Sequence, residues 1–552
     1  MFFKPSPSFA WLIYDPVSLN LFRKIKMLRY KLIQSLYPLL TLIALLYYAL
    51  LNRVFSLISR FLPKGKVTWS DEEAKEPLLF MSAKKAAEKI QRKELSSTQL
   101  VSLYIARLQR VQPLVNAVVM DNFEAARAEA EAVDLYMATL DEKSEEFQML
   151  SSTKPLLGVP FTFKNNMDVK GFVTVAGCNK FLNNAPAEKD SKVMERLRSA
   201  GAIPVAITNL PKLAMNWCAE NEVFGRTVNP YDVRRIPGGS SGGDSAAVSA
   251  GAALFGIGND LAGSVRIPSA MCGIFGLKPT KGVIPLDGFV PPLELEVVRD
   301  QWSIGPLCRY AEDLPAVFAA LAGKSLSELS VAIDVAKSRL RETRFIYMDN
   351  LNIWFVEKVN DDMRNALRQS VHHFEKRFDA TAQKVDFPLA HHLYELWGVL
   401  GFGEPTKNVS ELAAELPKFF KGKSEMTCCA WVYDILHFFV APRSEHEREF
   451  ALHKLDKLRA QFSAALGDNG LLLLPPWPTP APFHRQNMFT PLNMPYTQLF
   501  NVLGFPALVC PVGLNADGVP LSVQLVAPYH GEPLLMAAAQ EMENAFGGWN
   551  KP

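Results

Sequence analysis

Two serine-bearing stretches near the middle of the chain hold the residue types that could do chemistry. Pro237-Gly-Gly-Ser-Ser-Gly-Gly-Asp-Ser245 is followed, fifteen positions on, by Asp260-Leu-Ala-Gly-Ser-Val-Arg266. A flexible linker would explain the glycines and serines. However, apolar segments of strand and helix character lie close on both sides, and the run Ile267-Pro-Ser-Ala-Met-Cys-Gly-Ile-Phe-Gly-Leu-Lys-Pro-Thr280 reads as buried. A phosphate cradle would use the backbone N–H groups of a glycine-rich turn. That pattern ends in Gly-Lys-Ser/Thr, whereas this chain has Gly243-Asp244, and GxGxxG is absent. A nucleophile-bearing loop remains. Gly238-Gly239-Ser240-Ser241-Gly242 matches G-x-S-x-G, which would make Ser240 a nucleophile served by a downstream acid and then a histidine. All nine histidines lie beyond residue 370, so chain order leaves that triad open.

Such a loop needs a rigid frame. From residue 77 onward, helical patterns such as 82–109 and 119–137 alternate with short apolar, strand-like runs. Leu156–Phe163, Ile203–Thr208, Ala252–Gly258, Leu471–Leu474 and Pro506–Val512 are examples. Helix alternating with buried strand predicts an α/β fold. There is no internal repeat and no low-complexity tract.

The N-terminus reads differently. Residues 1–31 end in a basic run of Arg23, Lys24, Lys26, Arg29 and Lys31. Leu32 to Asn52 then carries no charge for 21 residues, which is the roughly 20 needed to span a bilayer. A cleavable signal would be shorter, start earlier and end in small residues. A core helix would show a polar face, and this one has almost none. The expectation is a membrane anchor over 32–52, a linker over 53–76 and a catalytic domain over 77–552. A helix lying in the interface is the alternative. Arg53, Arg60, Lys64 and Lys66 follow the anchor, so the positive-inside rule leans only slightly to a cytosolic N-terminus.

Bulk properties exclude little. With 552 residues and 49% hydrophobic composition, the chain can fill one large domain or two medium ones. Lys+Arg 59 against Asp+Glu 56 leaves +3, which offers no basic face to a nucleic acid. Seven scattered cysteines without CxxC or Cys/His spacing predict buried thiols rather than a metal site. Asn408-Val-Ser410 is a lone glycosylation sequon.

The whole run from Pro237 to Thr280 resembles the amidase signature sequence. That family carries GGSSGG, then a serine about two dozen residues on in a (T/S)D-x-GGS-(I/V)-R element, then GLKPT. Its upstream lysine element is similar to Gly158-Val-Pro-Phe-Thr-Phe-Lys164. Thr479-Pro480, Asn501-Val-Leu-Gly-Phe-Pro-Ala507 and Gly518-Val-Pro-Leu-Ser-Val-Gln524 resemble its C-terminal elements. The likeness covers roughly 78–548. Within the family the chain looks most like the fatty-acid amide hydrolases of the second type, on Asn229-Pro-Tyr-Asp232, Arg309-Tyr-Ala-Glu-Asp-Leu314, Phe546-Gly-Gly-Trp549 and the N-terminal anchor.

The resemblance implies one large α/β domain with a mixed central sheet flanked by helices. It implies Ser264 as nucleophile, Ser240 as bridging serine and Lys164 as base, with no cofactor and no metal. The backbone N–H groups of Leu261, Ala262, Gly263 and Ser264 would form the oxyanion hole. Asp260 and Arg266 would brace the loop as a pair, and Ser241 would hydrogen-bond within it. Met215 and Trp217 fall where the family lines its substrate channel. A free lysine has a pKa of about 10.4, so a neutral base near pH 7 means a depression of roughly 3 units, or ~4–5 kcal/mol. Burial in a Gly/Ser pocket without a carboxylate partner would supply it.

Three positions depart from the family pattern. Ala262 stands where glycine is usual, which matters if the site needs φ > 0. Asn259 replaces a serine or threonine, and Asn165 replaces an acid. The segment Met426–Val440, preceded by Phe419, Phe420 and lysines, reads as an aromatic, basic-edged interfacial helix over the acyl channel, or as a core or dimer helix.

The expectation is therefore a serine amidohydrolase acting on a small lipid amide, such as an N-acylethanolamine or a primary fatty amide. It would be a single-pass membrane protein of the endoplasmic reticulum or lipid droplet, with a homodimer left open. The competing readings are a glutaminase-like amidotransferase subunit, an amidase or esterase of other small substrates, an inactive binding protein, and a hydrolase built on Ser240 and a histidine.

Overall fold

The computed structural model describes residues 39, 42–290, 299–353, 355–400, 409–420, 427, 430–432, 434–435 and 444–552. The basic segment 1–31, the start of the apolar stretch, Asn408 and most of Met426–Val440 lie outside them. Two units are present, Met1–Val54 and Phe55–Pro552.

Leu42–Ser59 is one helix with mean hydropathy 1.7, long and apolar enough to cross a membrane. It does not stop at Asn52, where the sequence expectation ended the anchor. A single arginine at 53 does not break a helix, and the first proline comes at Pro63. Within the expected linker, Asp71–Lys75 forms a short helix. A capping box starts it: Ser70 and Glu73 exchange side-chain and backbone bonds.

Thirteen strands are found among the described residues. They are β1 (Val118–Asp121), β2 (Pro160–Lys164), β3 (Ile203–Thr208), β4 (Glu220–Asn221), β5 (Gly225–Arg226), β6 (Phe255–Asp260), β7 (Phe275–Lys278), β8 (Ser303–Cys308), β9 (Arg344–Tyr347), β10 (Gln383–Lys384), β11 (Gly470–Leu474), β12 (Ala507–Leu514) and β13 (Pro520–Val526). Eleven of these form one sheet in the order β1-β3-β2-β6-β8-β7-β12-β13-β11-β9-β10, and β4 and β5 pair apart. The sheet is mixed. β3, β2 and β6 run parallel, as do β11, β9 and β10, while β6, β8, β7, β12 and β13 alternate in direction.

Every residue of β2, β3, β6, β7, β8 and β11 is buried, because helices cover both faces. Glu532–Phe546 packs on β12 and Leu326–Ser338, Asp361–Phe378 on β13, and Arg266–Cys272 on β7, β12 and β13. The five strand-like runs read from sequence all fall on strands. The helical patterns differ in detail. The 82–109 pattern is two helices, Ala83–Gln91 and Ser97–Val115, separated at Lys93 by a left-handed φ of 59°. Residues 119–121 belong to β1, and the helix after it is Phe123–Thr139.

Candidate active site

The site is built where two parallel neighbours end. Lys164 closes β2 and Asp260 closes β6. Strand alternation sends Phe161 and Phe163 into the large apolar core, where Phe161 stacks on Phe255 at 5.1 Å. The same alternation turns Thr162 and Lys164 to the opposite face. There the Lys164 ammonium nitrogen lies 2.6 Å from Ser240 Oγ and 2.7 Å from Asn259 Oδ1. No part of Lys164 is exposed.

Desolvation dominates the lysine's titration. It pulls the pKa down to about 7, although Asp244 and Asp260 act in the opposite sense. The hydrogen-bond partners of the lysine nitrogen are Ser240 and Asn259, neither a carboxylate, and burial outweighs the more distant charges of Asp244 and Asp260. Asp244 is itself fully buried in the first turn of the helix Gly242–Ser249. It accepts hydrogen bonds from Thr162 Oγ1 at 2.9 Å and Thr208 Oγ1 at 2.6 Å, and burial pushes its carboxyl up to about 7.

The glycine-rich loop passes tightly through the body. A Cβ on Gly239 would meet the Asn216, Trp217 and Cys218 backbone at 2.8 Å. The Gly239–Ser240 peptide is cis. Ser241 ties this loop to the next one, its N–H donating to Ser264 O at 3.1 Å.

The second loop is organised around one buried ion pair. Asp260 and Arg266 meet at 2.9 Å with both side chains fully buried. The Asp260 carboxylate also accepts from the N–H groups of Gly263 at 2.8 Å and Val265 at 3.1 Å. Arg266 reaches on to Thr497 O, Gln524 Oε1 and Asn501 Oδ1. Asn501 returns a bond to Asp260 at 2.9 Å. Burial works against the Asp260 carboxylate, but the Arg266 charge and these hydrogen bonds hold it well below the usual range.

The Gly263 N–H is therefore committed to Asp260. Of the four oxyanion donors expected from sequence, Leu261, Ala262 and Ser264 keep N–H groups outside that carboxylate's embrace. The left-handed position is Gly263, at φ 125°, and not Ala262. A Cβ on Gly263 would lie 2.1 Å from Thr497 Oγ1. That hydroxyl donates to Ala262 O at 2.7 Å and so pins the loop.

Ser264 opens onto an apolar pocket lined by Met215, Trp217, Ile267, Trp397 and Met494, among others. Leu261 and Ala262 line it beside Ser264. Of the Met426–Val440 segment, described residues place Val432 in this lining, and Thr427 Oγ1 donates to Met215 O at 2.9 Å. Ser240 accepts its bond from Lys164 rather than from a histidine.

The sequence reading did not identify the carboxylate network of Asp244 with Thr162 and Thr208, the Thr497–Asn501–Gln524 support or the Asn166 contact to Asn259. For Thr162 a signal existed: two positions before Lys164 on a strand is the same face. The others come from segments tens to hundreds of residues away.

The chain has known relatives. The amidase family model matches residues 99–536. Fatty-acid amide hydrolase 2-A of Danio rerio is 36% identical over 491 residues, covering 86% of this chain and 90% of that protein. Fatty-acid amide hydrolase 2 of Homo sapiens is 35% identical over 494 residues, covering 86% and 91%. Among solved structures, a fatty acid amide hydrolase superposes with a TM-score of 0.69 at 21% identity, covering 87% of each chain. With its mixed sheet, its buried lysine against the Gly/Ser loop and these relatives, the chain belongs to the amidase signature family and is an amidase.

Proposed function

We propose that the protein is a serine amidohydrolase of fatty-acid amides, N-acylethanolamines or primary fatty amides, working through Ser264, Ser240 and Lys164 at a membrane. The observation that carries this reading is the contact of the buried Lys164 with Ser240 at 2.6 Å, on a loop whose Ser241 N–H donates to the carbonyl of Ser264, a residue that lines an apolar pocket. An amide is a poor electrophile with a poor leaving group, so attack needs a base and departure needs an acid. A lysine near pKa 7 can be both.

In the forward step, Ser264 Oγ attacks the carbonyl carbon. Its proton moves to Ser240 while the Ser240 proton moves to Lys164. The oxyanion is met by backbone N–H groups from Leu261, Ala262 and Ser264, each such donor being worth ~2.7–4 kcal/mol. The tetrahedral intermediate collapses, and the C–N bond breaks. The leaving amine takes the proton back along the same route, which leaves an acyl ester on Ser264. Water then attacks that ester with the same relay and releases the acid.

Three things support a lipid substrate: the apolar lining, the helix Leu42–Ser59, and the substrate class in the relatives' names. The test is kcat/KM against a panel of acyl amides of increasing chain length, with glutamine and acetamide included. The reading requires a rise with chain length, and a preference for glutamine or acetamide would overturn it. Residence in endoplasmic reticulum or lipid-droplet membranes is part of this proposal. Alkaline carbonate extraction should leave the full chain in the membrane pellet, and release to the supernatant would count against an anchor.

A further inference from the structure

The second partner of Lys164 is an amide, and that amide is itself held. Asn259 Oδ1 lies 2.7 Å from the lysine nitrogen. On its other side, Asn259 Nδ2 donates to Asn166 Oδ1 at 2.9 Å. Asn166 follows the lysine by two residues on the segment leaving β2, and both asparagines are buried. Asn166, Asn259, Lys164 and Ser240 thus form a single file of buried hydrogen bonds, whose sense is set at the lysine, where an N–H meets the Asn259 oxygen.

That sense has a chemical consequence. A neutral lysine has two N–H bonds and one lone pair. To act as base, it must aim the lone pair at the Ser240 hydroxyl. An amide oxygen can only accept, so it always claims one of the N–H bonds. Turning the Asn259 NH2 toward the lysine would break the Nδ2 bond to Asn166 Oδ1, unless the Asn166 amide, whose own Nδ2 has no partner among the described residues, turned with it. A serine or threonine hydroxyl at this position could donate as well as accept, and so could compete with Ser240 for the lone pair. A carboxylate could only accept, but would favour the ammonium form.

We propose that Asn259, clamped by Asn166, is a positioning residue that keeps the neutral Lys164 lone pair directed at Ser240 without adding charge. This rests on the reading of Lys164 as base. It assigns the departure from serine or threonine at position 259 a role in this chain: an acceptor that is neutral and is held on its far side by Asn166.

Four variants of the full-length, membrane-bound protein test it: Asn259→Thr, Asn259→Asp, Asn166→Ala, and Asn259→Thr combined with Asn166→Ala. Folding is checked by thermal denaturation. Asn259→Thr and Asn166→Ala should each lower kcat about tenfold or more while KM stays within about twofold, because misorientation of a base acts on the chemical step. The double variant should be no worse than the poorer single, since both act through one hydrogen-bond file. Asn259→Asp keeps the acceptor and adds a charge. Its rate should recover toward the wild-type plateau at alkaline pH, with the rising limb moved up by about 1–3 units.

A merely structural role would lower stability and leave the pH profile in place. Wild-type kcat and pH profile in both single variants would overturn the inference, as would a limb in Asn259→Asp that does not move. The lysine titration can also be followed by NMR of 13Cε-labelled lysine, with Lys164→Met to assign the signal. That readout distinguishes the two failures. If the wild type hydrolyses no acyl amide but the Lys164 signal shifts upward in Asn259→Asp, the substrate reading fails and the contact stands. If the signal does not shift, the contact fails.

Discussion

Lys164 Nζ and Ser240 Oγ are 2.6 Å apart although 76 residues separate them in the chain, and the lysine has no exposed surface. The pair sits where parallel β2 ends and the glycine-rich loop crosses it. An ammonium in that position is desolvated, and its tendency to lose the proton is what makes it useful as a base.

The pH dependence follows from that burial. With the lysine pKa at about 7, the rate of Ser264 acylation should rise through pH 7 and level off above it. A measurement of kcat/KM from pH 5.5 to 9.5 checks this. A flat profile would remove lysine as the base.

Stability should carry a mark of the same shift. The folded-state pKa lies below the unfolded value of about 10.4, so between the two the unfolded state binds more protons. Stability therefore gains from this group as pH rises from about 7 toward 10, and below pH 7 the folded state bears the full penalty. Lys164→Met should be inactive yet melt higher than wild type. The gain should be larger at pH 6 than at pH 9.5, as read by thermal denaturation at the two pH values.

The Asp260–Arg266 pair should behave as a buried pair does. Removing one partner leaves the other charge uncompensated, a cost of about 3–5 kcal/mol. Arg266→Leu should lower the melting temperature markedly and abolish labelling of Ser264, because the carboxylate that orders Gly263 and Val265 loses its counter-charge. Near-native stability in this variant would contradict the bracing role.

At the oxyanion loop, the two small residues should respond unequally. Gly263→Ala forces a Cβ to 2.1 Å from Thr497 Oγ1 at φ 125°, so activity should collapse. Ala262→Gly needs no special φ and should keep activity within a few-fold. Kinetics of the two variants on one acyl amide decide between these assignments, and the reverse order would place the strained position wrongly.

Much of this was legible in the sequence, and the limits have physical reasons. Ser240, Ser264 and Lys164 stand in short segments where glycine, serine and strand pattern announce a crowded loop. The strands β3 and β11 were visible as apolar runs because both faces are covered. The helix runs past Asn52 to Ser59 because a charge marks where a bilayer could end, not where a helix does. The worry over Ala262 could not be resolved from sequence, since φ at a loop position is set by what packs on it, here Thr497 from more than 230 residues away. The same distance hid Asn501 and Gln524 from any local reading of Arg266. Asp244 stands in the first turn of its helix, and the two threonines that meet its carboxylate come from β2 and β3, out of reach of a local reading.

The central claim is that Ser264 is the nucleophile and that Lys164 activates it through Ser240. The most direct measurement is labelling of membranes carrying the protein with a fluorophosphonate serine probe, comparing wild type with Ser264→Ala, Ser240→Ala and Lys164→Ala. The account predicts strong labelling of wild type, none in Ser264→Ala, and slow residual labelling in the other two. Labelling that persists in Ser264→Ala and vanishes in Ser240→Ala would contradict it and place the nucleophile on the glycine-rich loop.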